Sequence, residues 1–403
     1  MEMAYEGVSP QRKFKVLVNP MGGKGQAKKI YETRVKPILD AARSIYDTQH
    51  TTHRFHAEEI AAALPLDTNP IDAILALSGD GLPHEIINGL ASRKDAKLAL
   101  RTPVVPVPTG SANGFNINLQ GVKHTFDVGL AVLNAIKGKP LELDLLSVVQ
   151  NGKRRWSFYS QAFGLMADID LGTENIRWMG DTRFVMGYIR GIFNRKPSPI
   201  DLFVKVAKSD KEELVKDLIE HSSASGKPAS QALPTETNTP GADVPEDTSL
   251  PQDQFINEDT TSGDWIQFDK PMIYVYGGMM PYVAADLMQF PMATPAQGVV
   301  DLVVQEMVSR GTMVSAMDGA EHGKQFWMPS QVYYKAKAFK VTPKAGSKGF
   351  ISIDGEAFPW GEIYVEVHKG LMHTLTLNGD RFVSTFDPHG GPQGKNKGKT
   401  VAK

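Results

Sequence analysis

Cysteine is missing from all 403 residues. That excludes disulfides, zinc sites built on thiolates and thiol nucleophiles. Charge of either sign is not in excess, since 44 basic residues face 45 acidic ones. Nothing global therefore calls for nucleic acid as a partner. No apolar run reaches the length that a membrane-spanning helix needs. The opening residues, MEMAYEGVSPQRK, lack the apolar segment of a signal peptide. These absences suit a soluble protein of a reducing compartment, or one that touches membranes from the surface. We expect a cytoplasmic protein, peripherally associated with membranes.

What is present has a clear order. In the first third KFKVLVN, IYDTQHT, ILALS and TPVVPVP read as short strands. Helix-like segments lie between them, among them QAKKIYETRVKPILDAARS and HAEEIAAAL. This alternation predicts an α/β domain with a parallel-type sheet over residues 13–142, its working loops at the carboxyl ends of the strands. Three glycine-rich segments, NPMGGKG, SGDG and PTGSANG, fall at such ends. From Leu143 onward, runs such as MIYVYGG, GVVDLVVQ and EIYVEVHKG predict a C-terminal β-sandwich domain over 143–384. A helical interlude between Thr173 and Asn194 interrupts it. Residues 208–263, rich in Ser, Thr, Pro and acids, read as a disordered insertion. Residues 385–403 read as a disordered basic tail.

Each loop carries a plain reading beside a chemical one. Asp80 stands between Gly79 and Gly81, where an apolar run ends and a helix begins. It is either a helix N-cap or an acid placed for chemistry. Asn19–Gly25 fits no Walker loop, because Gly25 follows Lys24 where Ser or Thr is needed, and it fits no G-x-G-x-x-G fingerprint. It remains a glycine turn with one lysine, which suits phosphate. Pro108–Gly114 repeats the theme with Thr109, Ser111 and Asn113; an ordinary helix entry capped by Ser111 would look the same. Three such loops on one sheet edge argue for a polyphosphate cradle built from backbone amides. Further on, Asp354 and Glu356 flank Gly355. They suit magnesium bound through water, or simply a D-G turn. Asp168 and Asp170 alternate with Ala167 and Ile169. Beside so much apolar surface, Asp170 needs a cationic ligand or an ion pair with Arg177 or Arg183.

VNPMGGKG, SGDGLPHEIINGL, PTGSANG, GLMADIDLGTENIRWMGDTRF and IDGE follow one another between Phe14 and Phe382. Together they resemble the diacylglycerol kinase catalytic superfamily and, within it, the sphingosine kinases and fungal-type sphingoid long-chain-base kinases. Ser78 strengthens the likeness, because diacylglycerol kinases and NAD kinases usually carry a second glycine there. The resemblance implies two domains, α/β and β-sandwich, with ATP and Mg2+ in the cleft between them. It implies that Asp80 accepts the proton of the lipid's primary hydroxyl as that oxygen attacks the γ-phosphoryl group.

The same resemblance puts Asn19, Gly22, Gly23, Lys24, Thr51, Ser78, Gly79, Glu85, Gly110, Ser111 and Asn113 at nucleotide contacts. Arg177 and Arg183 match phosphate-binding arginines, and Asp354 and Glu356 match magnesium-linked acids. Asp170 matches the acid that recognises a sphingoid head group, and Met166, Ile169, Phe184 and Met317 match the acyl channel. The implied partners are a sphingoid base and, transiently, a membrane surface, with no nucleic acid and a homodimer left open. Met21 departs from an arginine found in some relatives, and Gln325 from a place that can be histidine. The long N-terminal extension of many fungal relatives is missing. Two rivals remain: a kinase of diacylglycerol or a related glycerolipid, and an inactive lipid-binding scaffold. Asp170 speaks against the first, since a neutral glyceride has no obvious use for a carboxylate.

Overall fold

The computed structural model describes residues 8, 10–173, 182–224, 248–261, 263–379 and 381–390, with backbone alone at 182–184 and 222–224. Strands β1 (Lys13–Val18), β2 (Ile45–His50), β3 (Ala73–Ser78) and β4 (Val104–Pro108) run parallel in the order β2-β1-β3-β4. β3 and β4 are buried along their whole length, as continuous apolar runs must be when both sheet faces are covered. The cover is α1 (Ala27–Ile30), which continues through a π-turn at Tyr31–Val35 into α2 (Lys36–Ala41), then α3 (His56–Ala62), α4 (Gly81–Ala91), α5 (Ala96–Ala99), α6 (Gly114–Gln120) and α7 (Val128–Lys137). Val16, Leu75 and Val105 pack with Val35, Leu39 and Val132 on one face. Leu17, Ile74 and Ala76 pack with Ile60, Ile87 and Leu90 on the other. Successive strands change direction of travel between β1 and β3, and the crevice beyond the carboxyl ends at such a point is where α/β sheets take ligands. Asn19 and Gly79 flank it.

The second domain is antiparallel. It comprises β5 (Lys139–Gln150), β6 (Lys153–Ser157), β7 (Ser160–Gly164), β8 (Ile200–Lys208), β9 (Trp265–Phe268), β10 (Met272–Gly278), β11 (Tyr282–Ala284), β12 (Leu287–Met288), β13 (Val300–Glu306), β14 (Gln331–Pro343), β15 (Ile351–Ile353), β16 (Glu356–Phe358) and β17 (Ile363–Thr376). All but the small β11-β12 pair join one sheet of 11 strands. β14 is its branch point. Residues 331–336 pair with β13, residues 338–341 pair with β17, and β8 lies along 335–343. A strand has two edges, so with β8 on one, β13 and β17 share the other and the sheet divides there into two leaves. Phe163, Val275 and Leu302 from one leaf meet Leu145, Ile363 and Val365 from the other in a common core. The expected sandwich is therefore made by leaves of one continuous sheet.

Several expectations need correction. The helical interlude starts earlier, with α8 (Leu165–Gly172), and is followed by α9 (Thr182–Asn194). Within the supposed insertion 208–263, α10 (Lys211–Ala224) forms and buries Leu214 and Val215. Residues 248–261 lie across β5 and β17. There Asp253 pairs with His368 at 3.0 Å and Arg154 at 2.7 Å, while Gln254 N and Phe255 N donate to Glu366. Composition averaged over the segment hides both an amphipathic helix and a strap held by specific polar pairs. Residues 225–247 lie outside the described residues. The tail is also anchored at its start, where Thr385 Oγ1 and the Tyr282 phenol share a 2.8 Å hydrogen bond; residues 391–403 lie outside the described residues.

The strap has a pH signature. Burial pushes the Asp253 carboxyl up, but hydrogen bonds from His368, Arg154 and Ser147 outweigh it and hold the value down at about 2. A carboxylate depressed in the folded state stabilises above its unfolded value of about 3.9 and loses that contribution as pH falls towards the folded one. Asp253→Asn should cost about 2 kcal/mol at neutral pH. Denaturant titrations should show the gap to wild type narrowing from pH 5 downwards.

Candidate active site

A cavity of about 880 Å³ opens where the carboxyl ends of β1, β3 and β4 face the second domain. Asn19, Gly22, Gly23, Thr51, Ser78, Gly79, Asp80, Glu85, Gly110 and Ser111 line it from the first domain. Met166, Ile169, Asp170, Met317, Asp354 and Glu356 line it from the second. Most of the residues singled out in the sequence thus converge on one space.

The glycine loops meet face to face. A Cβ on Gly110 would stand 2.4 Å from Gly79 Cα, and one on Gly23 would stand 2.5 Å from Thr109 O. With no side chains between them, the loops leave room for a phosphate chain to lie close against their backbone. Gly110→Ala must push two backbones apart, and should weaken nucleotide binding on the order of tenfold and lower the melting temperature. Calorimetric titration with ATP reads this directly; unchanged affinity would mean the loops do not bind phosphate.

Asp80 opens α4, yet it caps a different helix. Its Oδ2 accepts from Gly114 N and its Oδ1 from Phe115 N, each at 2.9 Å, at the start of α6. Gly114 has no room for a side chain, since a Cβ there would fall 1.8 Å from the Tyr159 hydroxyl oxygen. Burial pushes the Asp80 carboxyl up, partly offset by these backbone bonds, and the charge of Asp354 adds to the rise.

Asp354 itself is fully occupied. Oδ1 accepts from Ser157 Oγ, Tyr159 N and Ser160 N at 2.7, 3.0 and 2.8 Å. Oδ2 accepts from Phe158 N at 3.0 Å and from His84 Nδ1 at 2.8 Å. Five donors exhaust the roughly four lone-pair positions of a carboxylate, so Asp354 does not fit the role of metal ligand. It ties the β6–β7 turn to α4. Asn88 extends the tie, donating to Trp156 O and accepting from Trp156 N, both at 2.9 Å. Glu356 is different. Its Oε1 lies 3.7 Å from where a Gly81 Cβ would stand, and it pairs with Arg54 across the cavity.

Other expected contacts shift. Glu85 faces the cavity but accepts from Ala57 N at 3.1 Å. Burial raises its carboxyl, and the charges of Glu356 and Glu58 add to this. Lys24 is exposed and outside the cavity lining. Asn113, in left-handed backbone, turns inward and clamps Gly110 through its N–H and its carbonyl at 3.0 and 3.1 Å. It shapes the loop from behind. Arg177 lies outside the described residues, as do the side chains of Arg183 and Phe184.

Because α8 is a helix, residues two apart on it project roughly 200° apart. Asp168 is exposed, whereas Asp170 lines the cavity and accepts from Ser352 Oγ. Burial pushes the nearby Tyr276 phenol up, and the charge of Asp170 pushes it further. Of the loop after β2, Thr51 alone is named from the sequence. Thr52, His53 and Arg54 line the cavity from there, and Arg54 brings a cation to it. Its one signal is position, beyond the end of a parallel strand.

Residues 13–148 match the diacylglycerol kinase catalytic domain. Over 378 residues the chain is 32% identical to sphingoid long chain base kinase 4 of Schizosaccharomyces pombe, covering 93% of this chain and 77% of that one. It is also 32% identical to sphingoid long chain base kinase 5 of Saccharomyces cerevisiae, over 96% of this chain and 62% of that one. A solved candidate diacylglycerol kinase from Bacillus anthracis shares the fold, with a TM-score of 0.58 at 17% identity over 92% of this chain and 98% of that one. The family match and these relatives make this chain a lipid kinase. The chain belongs to the sphingosine and sphingoid long-chain-base kinase family.

Proposed function

We propose that this chain transfers the γ-phosphoryl group of ATP to the primary hydroxyl of a sphingoid long-chain base, giving the base 1-phosphate and ADP. One observation carries this reading: a single cavity joins Asp80, among the phosphate loops, to Asp170, among apolar side chains. Asp80 accepts the hydroxyl proton as the new P–O bond forms and the bond to the β-phosphate oxygen breaks. Asp170 receives the ammonium of the head group. Magnesium, if bound, would supply charge neutralisation to the phosphate chain. Glu356 would be the carboxylate to hold it through water, and Arg54, its ion-pair partner, would supply a cation to the same cavity.

No helix among the described residues is long and apolar enough to cross a membrane. On α9, Met186, Ile189 and Phe193 are exposed at helical spacing. Nearby is α11 (Arg310–Ser315), whose Arg310 Nε donates to Ile192 O at 3.2 Å. This apolar face supports transient contact with a bilayer surface, where a lipid substrate resides. Mass spectrometry of the product from a free base and ATP tests the reaction itself. A phosphate on the terminal hydroxyl is expected; ADP formation with the base recovered intact would refute it.

A further inference from the structure

Helix α6 is only seven residues long, yet every one of them is buried. Its first two N–H groups hold both oxygens of Asp80. The seat of α6 therefore decides where the Asp80 carboxylate points. Asn118 fixes that seat. Its side chain is fully buried, and its Nδ2 donates to Gly114 O and to Tyr282 O, each at 2.8 Å. Its Oδ1 accepts from Tyr282 N at 2.9 Å. Turning the amide over would set its oxygen against two carbonyl oxygens, so its orientation is determined. One amide thus grips the backbone of Tyr282 in both directions and returns to a carbonyl one turn back on its own helix.

Tyr282 belongs to β11, in the second domain. Its carbonyl takes a further bond, from the Tyr159 phenol at 2.8 Å. The same phenol lies against Gly114 and leaves no room there for a side chain. Next along β11, Val283 and Ala284 line the cavity, as do Met166, Ile169 and Asp170 of the same domain. A hydrogen-bonded path therefore runs from the second-domain wall through Tyr282, Asn118 and Gly114 to Asp80. None of its steps exceeds 2.9 Å. Phosphoryl transfer joins a nucleotide on one domain to a lipid on the other, and a base must be aligned with both. A misplacement of about 1 Å can cost on the order of a hundredfold in rate. Asn118 is not part of the cavity lining, so any effect it has on the chemistry passes through its neighbours.

Building on the reading of Asp80 as the general base, we infer that Asn118 is its positioning residue, with Tyr159 bracing the same carbonyl. The test measures kcat, and the KM of ATP and of a free sphingoid base, on the full chain. Asn118→Ala should lower kcat on the order of thirtyfold. Tyr159→Phe removes one bond from a carbonyl that Asn118 still holds, and should lower kcat on the order of threefold. Both KM values should stay within about twofold of wild type. Asn118→Ala also leaves Tyr282 N without its acceptor, so a lower melting temperature accompanies the loss. A merely structural role would do the same, and the kinetics separate the two. Each change is repeated in Asp80→Asn, where the base is already gone, and there neither should lower the residual rate further. If Asn118→Ala does not fold, Tyr159→Phe carries the same comparison alone. Equal falls in both backgrounds, a loss confined to KM, or an unchanged kcat in every folded single variant would overturn the inference and leave the base reading intact. A rate for Asp80→Asn itself within a few-fold of wild type would overturn both.

Discussion

Asp80→Asn should lower phosphoryl transfer by roughly two to four orders of magnitude, the usual contribution of a general base. The substitution is nearly isosteric. Its remaining oxygen can still accept from either Gly114 N or Phe115 N, but its amide must face the other N–H. A stability cost on the order of 1–2 kcal/mol is expected, which thermal unfolding will show. ATP should still bind, because the phosphate loops keep their contacts. A residue that only capped α6 would give the same stability loss with activity within a few-fold of wild type. The pH profile separates the two further. A base must be ionised to work, and burial raises the Asp80 carboxyl. The acidic limb of kcat/KM should therefore lie above the ordinary carboxylate range, and Asp80→Asn should abolish that limb.

Asp170→Asn should remove selectivity for a charged head group. An ammonium entering this partly apolar site without its carboxylate loses on the order of 2–5 kcal/mol, a fall in kcat/KM of about thirtyfold or more. ATP affinity should hold, since the nucleotide loops lie on the opposite wall. The control comes from the helix: Asp168→Asn changes an exposed neighbour that projects away from the cavity, and should behave as wild type. Both variants should be compared on a free base and on its N-acylated form, which carries no amine charge. Wild type should strongly prefer the free base and Asp170→Asn should not. Full activity of Asp170→Asn on the free base would leave Asp170 with a structural role, its bond to Ser352 among its contacts.

The glycine loops are legible in the sequence because parallel strands buried on both faces make unbroken apolar runs. The segment after each run is then a loop on the ligand edge of the sheet. Arg54 escapes because its loop has no glycine to mark it. Asp354 misleads for the opposite reason: D-G is a common turn signature, while the donors that fill its carboxylate come from Ser157–Ser160, a distant stretch of chain. The alternation of Asp168 and Asp170 suggests a period of two. Gly164, at φ +70, lets β7 turn straight into α8 and replaces it with a helical period.

A lipid kinase that recognises a charged sphingoid head group must choose between acceptors offered together. Its most direct test is competition at one enzyme: radiolabelled ATP with equal amounts of a free sphingoid base and diacylglycerol in mixed micelles, products separated and counted. Label almost wholly in the sphingoid 1-phosphate is the predicted result. Comparable or greater labelling of phosphatidic acid would contradict it.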